Sequence, residues 1–152
     1  MREILFRGKR DDMSDYSWKY GSLIIEGGKY FIRTSGMKGG SGLGNEVFPE
    51  TVGQFTGLLD KNGKKIFEGD VVKSIQSLKT GSKNRSLRSK KWAVDVYDDF
   101  ELVGIIEYYK SCFISQVKKK KQLTNKPKSI KHQPINGLIS LENCEIIGNI
   151  HE

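Results

Sequence analysis

Long apolar runs are missing from this chain. No stretch approaches the roughly 18 to 20 apolar residues that a membrane-crossing helix needs, and Met1-Arg2-Glu3 leads into no signal-peptide core. The expectation is a cytoplasmic protein, with no membrane as partner. Cysteine and histidine are scarce as well, two of each. Cys112 and Cys144 lie far apart in apolar contexts, which without export reads as two buried thiols rather than a disulfide. His132 and His151 are isolated from each other and from the cysteines, so no C-x2-C or H-x3-H pair offers a zinc site. Asn84-Arg85-Ser86 fits a glycosylation acceptor, a pattern without meaning in a protein that is not secreted.

The usual signatures of catalysis are missing in the same way. The glycine-rich run Gly36 to Gly44 lacks the G-K-[ST] ending that sets a lysine and a magnesium-binding hydroxyl against phosphates, and its spacing is not G-x-G-x-x-G. It reads as a loop between strands. Ser41 is followed two positions later by Leu43, so the nucleophile elbow G-x-S-x-G fails. Glu50, Asp60, Glu68 and Asp70 all fall near turns, where acids serve the backbone. Glu68 and Asp70 are spaced to share a strand face and hold magnesium or a proton, but the intervening Gly69 favours a turn. The expectation is no catalytic residue, no metal, no cofactor and no enzyme activity.

What the chain does have is positive charge, unevenly placed. Its 152 residues carry a net charge of +8, and the size suits one domain with its own core. Residues 1–70 hold 11 bases against 10 acids, whereas residues 71–152 hold 15 against 8. All 15 of those bases fall between Lys73 and Lys91 or between Lys110 and Lys131, and neither stretch contains an acid. A dense field of one sign attracts polyanions, nucleic acid above all. It serves equally as a solvated surface or as a patch for an acidic protein. The residues that would carry nucleic-acid binding are Lys83, Arg85, Arg88, Lys90, Lys91, Lys118, Lys119, Lys120 and Lys121, on basic loops 73–91 and 118–131. Trp92 and Tyr109 stand beside these stretches as stacking partners, although both also fit strand positions.

Short alternating runs separated by turn residues predict strands. Glu3 to Arg7 is the first. Tyr16, Trp18 and Tyr20 alternate with polar residues, Gly21 interrupts, and Ser22 to Ile25 resumes. Glu26-Gly27-Gly28-Lys29 is a hairpin turn, with Lys29 to Arg33 returning. Thr51 to Leu59 follows Pro49 and Glu50; Asp60-Lys61-Asn62-Gly63 turns, Lys65 to Phe67 returns, and Glu68-Gly69-Asp70 turns into Val71-Val72. Ser74 to Lys91 reads as a long exposed loop. A strand over Trp92 to Phe100, broken at Asp98-Asp99, then Glu101 to Tyr109 and Ser111 to Val117, come next. Lys118 to Pro134 reads as a second basic loop, Ile135 to Leu141 is ambiguous, and Cys144 to Ile147 is terminal. About eight short strands suit a mainly β protein, a small barrel-like or strongly bent antiparallel sheet with long basic loops. One domain over residues 1–152 is expected, with an N-terminal β lobe (1–48) ahead of a barrel-like portion (49–152).

Several of these segments resemble the YopX family. They are Met1 to Lys9, Trp18 to Leu23, Pro49 to Leu58 running through Asp60-Lys61-Asn62-Gly63 to Phe67-Glu68-Gly69-Asp70-Val71-Val72, the looser Val103 to Tyr108, and Ile146 to Glu152. The resemblance implies a small phage- or prophage-encoded protein in the cytoplasm of a bacterial host cell, mainly β with a barrel-like part and of a kind often assembled as a homo-oligomer. It implies no established activity, so no site residue carries over. The first functional expectation is therefore an accessory protein acting through contacts with a host or phage protein, or through self-association. The alternative is a nucleic-acid binder using the two basic loops, which match no family segment.

Overall fold

The computed structural model describes residues 3–12, 16–36, 42–87, 90–109, 112–123 and 141–152, and over residues 78–97 it describes the backbone. Among the described residues, ten strands form two antiparallel sheets. They are β1 (Phe6–Lys9), β2 (Trp18–Glu26), β3 (Lys29–Arg33), β4 (Asn45–Val47), β5 (Gly53–Leu59), β6 (Lys65–Phe67), β7 (Asp70–Leu87), β8 (Lys90–Tyr109), β9 (Cys112–Gln122) and β10 (Glu145–Asn149). The first sheet is ordered β4-β3-β2-β1-β5-β6 and the second β10-β7-β8-β9. The mainly β expectation holds, but among the described residues both sheets are open and no barrel closes. Among the described residues no helix is long and apolar enough to cross a membrane.

Local chemistry places the turns. Gly27 and Gly28 have φ of 59° and 79°, the paired positive values of a type I′ hairpin, and they join β2 to β3 in the register Glu26 to Lys29. Asp60 builds the β5–β6 turn with its side chain: Oδ1 accepts from the Asn62 and Lys64 N–H groups at 2.8 and 2.9 Å. Gly57, at φ 88°, lies where the β5–β6 register slips between Phe55 and Leu59. A glycine there lets β5 bulge without the strain a side chain would meet.

The core lies between the sheets. Val72, Phe100, Leu102 and Ile106 project from one face of the second sheet, and Ile66 of β6 and Cys144 close over them. Ile66, Ile106, Val72 and Cys144 are all 0% exposed. This is the period-two alternation of a half-covered sheet, with Ile75 on the opposite face 60% exposed.

The largest departure from expectation concerns the basic segments. Ser74 to Leu87 is strand, not loop: β7 pairs with β8 from Val71↔Ile105 to Leu87↔Lys90, slipping once between Lys79 and Gly81. The Asp98-Asp99 break is absent too, because β8 runs through it opposite Leu78 and Ser77. Lys118 to Gln122 continue β9 against Phe100 to Val103. Lysine is depleted in strands only weakly, and cross-strand pairing with the apolar half of β8 overrides that preference. The rest of the second basic stretch, residues 124–140, lies outside the described residues.

Candidate functional site

The N-terminal ends of β7 and β8's partner region are held by neighbours on both sides. β10 pairs with β7 between Asp70 and Lys73, and β9 pairs with β8 between Phe100 and Tyr109. Beyond that, from Leu78↔Asp98 to Leu87↔Lys90, the hairpin has no third strand among the described residues. The result is a two-stranded ribbon about 30 Å long at a rise of roughly 3.3 Å per residue. It places Lys83 opposite Val94, Arg85 opposite Trp92, Ser86 opposite Lys91 and Leu87 opposite Lys90. Four of the nine residues expected to bind nucleic acid are thus gathered at one end of one ribbon. Arg88 lies outside the described residues, as do the side chains of Trp92 and Tyr109.

The lysine run is elsewhere and differently used. Lys119 and Lys121 are registered opposite Val103 and Glu101, and the ladder skips Lys118. Glu101 and Val94, opposite the nearest members Lys121 and Lys83, stand seven residues apart along β8, roughly 23 Å at the strand rise, so the backbone positions of the two basic groups are well separated. Lys118 Nζ lies 3.5 Å from Glu107 Oε1 and donates to Gln116 Oε1 at 3.3 Å. Lys120 Nζ sits 3.6 Å from the centre of the Phe100 ring, and the loss of water there lowers its pKa. Its ammonium shields a core edge.

A second arrangement joins the ends of the chain to its middle. Arg7 of β1 lies between two aromatic faces, 4.6 Å from the Trp18 ring centre and 4.8 Å from that of Phe67. Its Nη2 donates to Asp70 Oδ1 at 2.6 Å and to the Glu68 carbonyl at 3.2 Å. Asp70 also accepts from the Phe67 N–H at 2.8 Å and from Asn149 Nδ2 at 3.4 Å. Glu68 and Asp70 therefore do not face one cleft as a carboxylate pair. Asp70 is the buried counter-ion of Arg7, and among the described residues no group of three or more His, Cys, Asp or Glu is placed to hold a metal. A cleft of about 550 Å³ opens above this pair, walled by Trp18, Tyr20, Ile147 and Glu152 with Lys64 and Lys65 at its edge. Lys65 is engaged there by Glu3 at 2.7 Å.

The thiol of Cys144 is buried, which together with the negative charge of Asp60 raises its pKa. It is protonated at neutral pH and donates to the Leu141 carbonyl at 3.2 Å. The expectation of a buried thiol holds for Cys144; the Cys112 side chain lies outside the described residues.

Asp60 ties the β5–β6 turn to β10, since its Oδ2 accepts from the Ile146 N–H at 3.2 Å and the Lys61 N–H donates to the Cys144 carbonyl at 2.9 Å. Burial raises its pKa, but the N–H groups of Lys64, Ile146 and Asn62 outweigh burial, and the net shift is downward. A carboxylate with a depressed folded pKa stabilises the fold above its unfolded pKa, near 3.9, and the contribution is lost as pH falls through the folded value. Urea unfolding of Asp60→Asn beside the unsubstituted chain is expected to show a stability gap at pH 7 that narrows below about pH 4. A gap unchanged down to pH 2.5 would mean that the charge of Asp60 does not matter to the turn.

These paired and interlocked segments coincide with the stretches of sequence that carry the family likeness. Arg7 comes from the first, Trp18 from the second, Phe67 to Asp70 from the middle and Asn149 from the last. A mainly antiparallel two-sheet protein with one long basic ribbon is the class the geometry defines. The family model for the YopX protein matches residues 6–152, and the chain belongs to the YopX family. No curated protein and no solved structure matches it.

Proposed function

We propose that this protein binds nucleic acid through the β7–β8 ribbon. The observation that carries the reading is a strand pair extending past its sheet with Lys83, Arg85, Lys90 and Lys91 near one end and no acid between residues 83 and 91. A hairpin with no third strand is marginally stable in water, so a ribbon of this length gains order from a partner. Its charge selects a polyanion. The register sets Trp92, the aromatic expected to stack, at the position opposite Arg85.

The test is fluorescence anisotropy with short DNA at 50 and 200 mM salt. Four phosphate contacts give a slope of log affinity on log salt near −3.6, so the ribbon's share of affinity falls about 10²-fold between these concentrations. Replacing Lys83, Arg85, Lys90 and Lys91 together with glutamine should flatten the slope by about 3 to 4, with the circular dichroism spectrum unchanged. Replacing Lys118 to Lys121 should flatten it far less, because Lys118 and Lys120 are engaged by Glu107 and Phe100. No binding at 50 mM salt, or a greater loss from the lysine-run variant, would sink the reading.

One observation favours the protein-contact reading. Ile75, 60% exposed, shares the outer face of the second sheet with the partly exposed Val71, Val103 and Ile105. Such an apolar strip supports docking of a protein partner or a second copy, and sedimentation of Ile75→Lys against the unsubstituted chain reads the second case.

A further inference from the structure

We infer that the cleft over the Arg7–Asp70 pair is a binding site for a heteroaromatic base of the kind that nucleosides carry. The inference concerns the body of the protein and stands independently of the ribbon. Its first support is shape. A cleft of about 550 Å³ has the size of a small-ligand site, and it lies where the two sheets meet, with Trp18 and Tyr20 contributed by β2 and Ile147 by β10. Tyr20 is 45% exposed and Ile147 49%, so two large apolar side chains lining the cleft are left in water. Trp18 and Phe67 each give a ring face to Arg7. The more exposed Tyr20, tilted by 60° against Phe67, is therefore the ring that a flat ligand can cover.

The second support is an unspent donor set. A guanidinium carries five N–H groups, and Arg7 donates through Nη2 alone, to Asp70 and to the Glu68 carbonyl. Its Nε is buried without a hydrogen-bond partner, on a side chain 8% exposed that lines the cleft. A buried donor left unmade is costly, and what it lacks is an acceptor. Asp70 does not supply one, because its oxygens already take the Arg7 Nη2, Phe67 and Asn149 donors. Asp70 also balances the charge of Arg7, and the Glu152 carboxylate on the cleft wall repels an anion. The acceptor that fits is neutral, a ring nitrogen or a carbonyl. Glu152 in turn calls for N–H donors, and Lys64 at the edge offers a further donor. A flat ring that carries neutral acceptors and amino donors on its edges is a nucleobase. An inorganic anion has no ring for Tyr20 and meets Glu152, while a plain hydrocarbon leaves Arg7 unanswered.

The experiment reads Trp18 fluorescence in the full chain carrying Trp92→Phe, which leaves Trp18 as its one indole. Adenosine, guanosine, cytidine and uridine are titrated beside ribose 5-phosphate and indane, a fused ring with no polar edge. At least one nucleoside should shift the signal saturably, and Tyr20→Leu, which keeps apolar bulk at an exposed position, should weaken that binding at least about fivefold. Replacing Lys83, Arg85, Lys90 and Lys91 with glutamine should leave it unchanged, so the cleft and the ribbon stand or fall separately. In that ribbon variant a short single strand of the preferred base identifies the source: tighter binding than the nucleoside assigns a base on a strand, and weaker binding assigns the free nucleoside. No shift with any nucleoside would overturn the inference, as would binding that Tyr20→Leu retains in full. Ribose 5-phosphate matching the best nucleoside would assign the site to phosphate on the lysines, and indane matching it would reduce the site to an apolar cleft; either result rejects the base.

Discussion

Asp70→Ala is expected to destabilise the fold by about 3 to 5 kcal/mol, the range for removing one partner of a buried ion pair. The Asp70 side chain is 1% exposed and that of Arg7 8%, so neither charge has water to fall back on. Without Asp70 the guanidinium stays wedged between Trp18 and Phe67 with no counter-ion. The Phe67 N–H, donating at 2.8 Å, loses its acceptor in a buried turn as well. Because Arg7 is in β1 and Asp70 opens β7, the loss also loosens the joint between the two sheets. Guanidinium unfolding measures the cost. A companion variant isolates its origin. Arg7→Met with Asp70→Asn removes both charges, keeps an acceptor for Phe67, and should recover at least half of the loss, since a buried pair replaced as a pair is close to neutral. A cost below about 1 kcal/mol for Asp70→Ala would place the pair with exposed salt bridges and contradict its burial.

How much of this was legible in the amino-acid sequence follows from range. The Gly27-Gly28 turn and β3 (Lys29–Arg33) were readable because a two-residue hairpin is set by its own φ angles. The Asp60 turn was readable for the same reason, through side chain to backbone bonds a few residues long. The Arg7–Asp70 pair spans 63 residues, and neither partner announces the other. Asp70 was visible as a turn acid, and its use as a counter-ion was not. The signal that points to it is indirect: the segments sharing the family likeness are the ones that meet in space.

The basic segments failed for a different reason. A run such as Ser74 to Lys91 has the composition of an exposed loop, and the reading followed composition. In the fold Ser74 to Leu87 is part of one half of a long hairpin, and Lys90 and Lys91 open the other half, which around Trp92 to Phe100 already showed alternation. A strand implies a partner strand, and the partner of β8 on this side could only come from the polar run before it. The same reasoning separates the lysine run from the ribbon. In the sequence they look alike, while the Lys120 ammonium lies over the Phe100 ring and the register sets Lys121 opposite Glu101 and Lys83, Arg85, Lys90 and Lys91 on the outer part of the hairpin. Charge count alone could not distinguish a lysine packed on a core ring from one carried on the outer part of the hairpin.

Gly21→Ala is expected to be the most damaging glycine-to-alanine change among the described residues. The alternating run around Trp18 and Tyr20 led to Gly21 being read as an interruption, yet β2 runs straight through it, opposite Phe6 of β1. Glycine is required there by what lies beside it. A Cβ at this buried position would fall 1.9 Å from the Arg33 carbonyl oxygen and 3.0 Å from the Thr34 nitrogen, both backbone atoms with no rotamer to escape into. Relief requires parting β2 from the end of β3, where Ser22 is paired with Arg33. The cost should reach or exceed about 3 kcal/mol, the upper end of the range for overpacking. Gly27→Ala supplies the contrast. Nothing lies within 4 Å of its Cβ, but its φ of +59° charges a side chain about 1 to 2 kcal/mol for a left-handed conformation. Chemical unfolding of the two variants separates a steric cause from a conformational one, since the first scales with close backbone and the second with φ. If Gly21→Ala proved no worse than Gly27→Ala, β2 and β3 would have room to slide apart at Arg33, and the tight seam between them would not be what holds the first sheet in register.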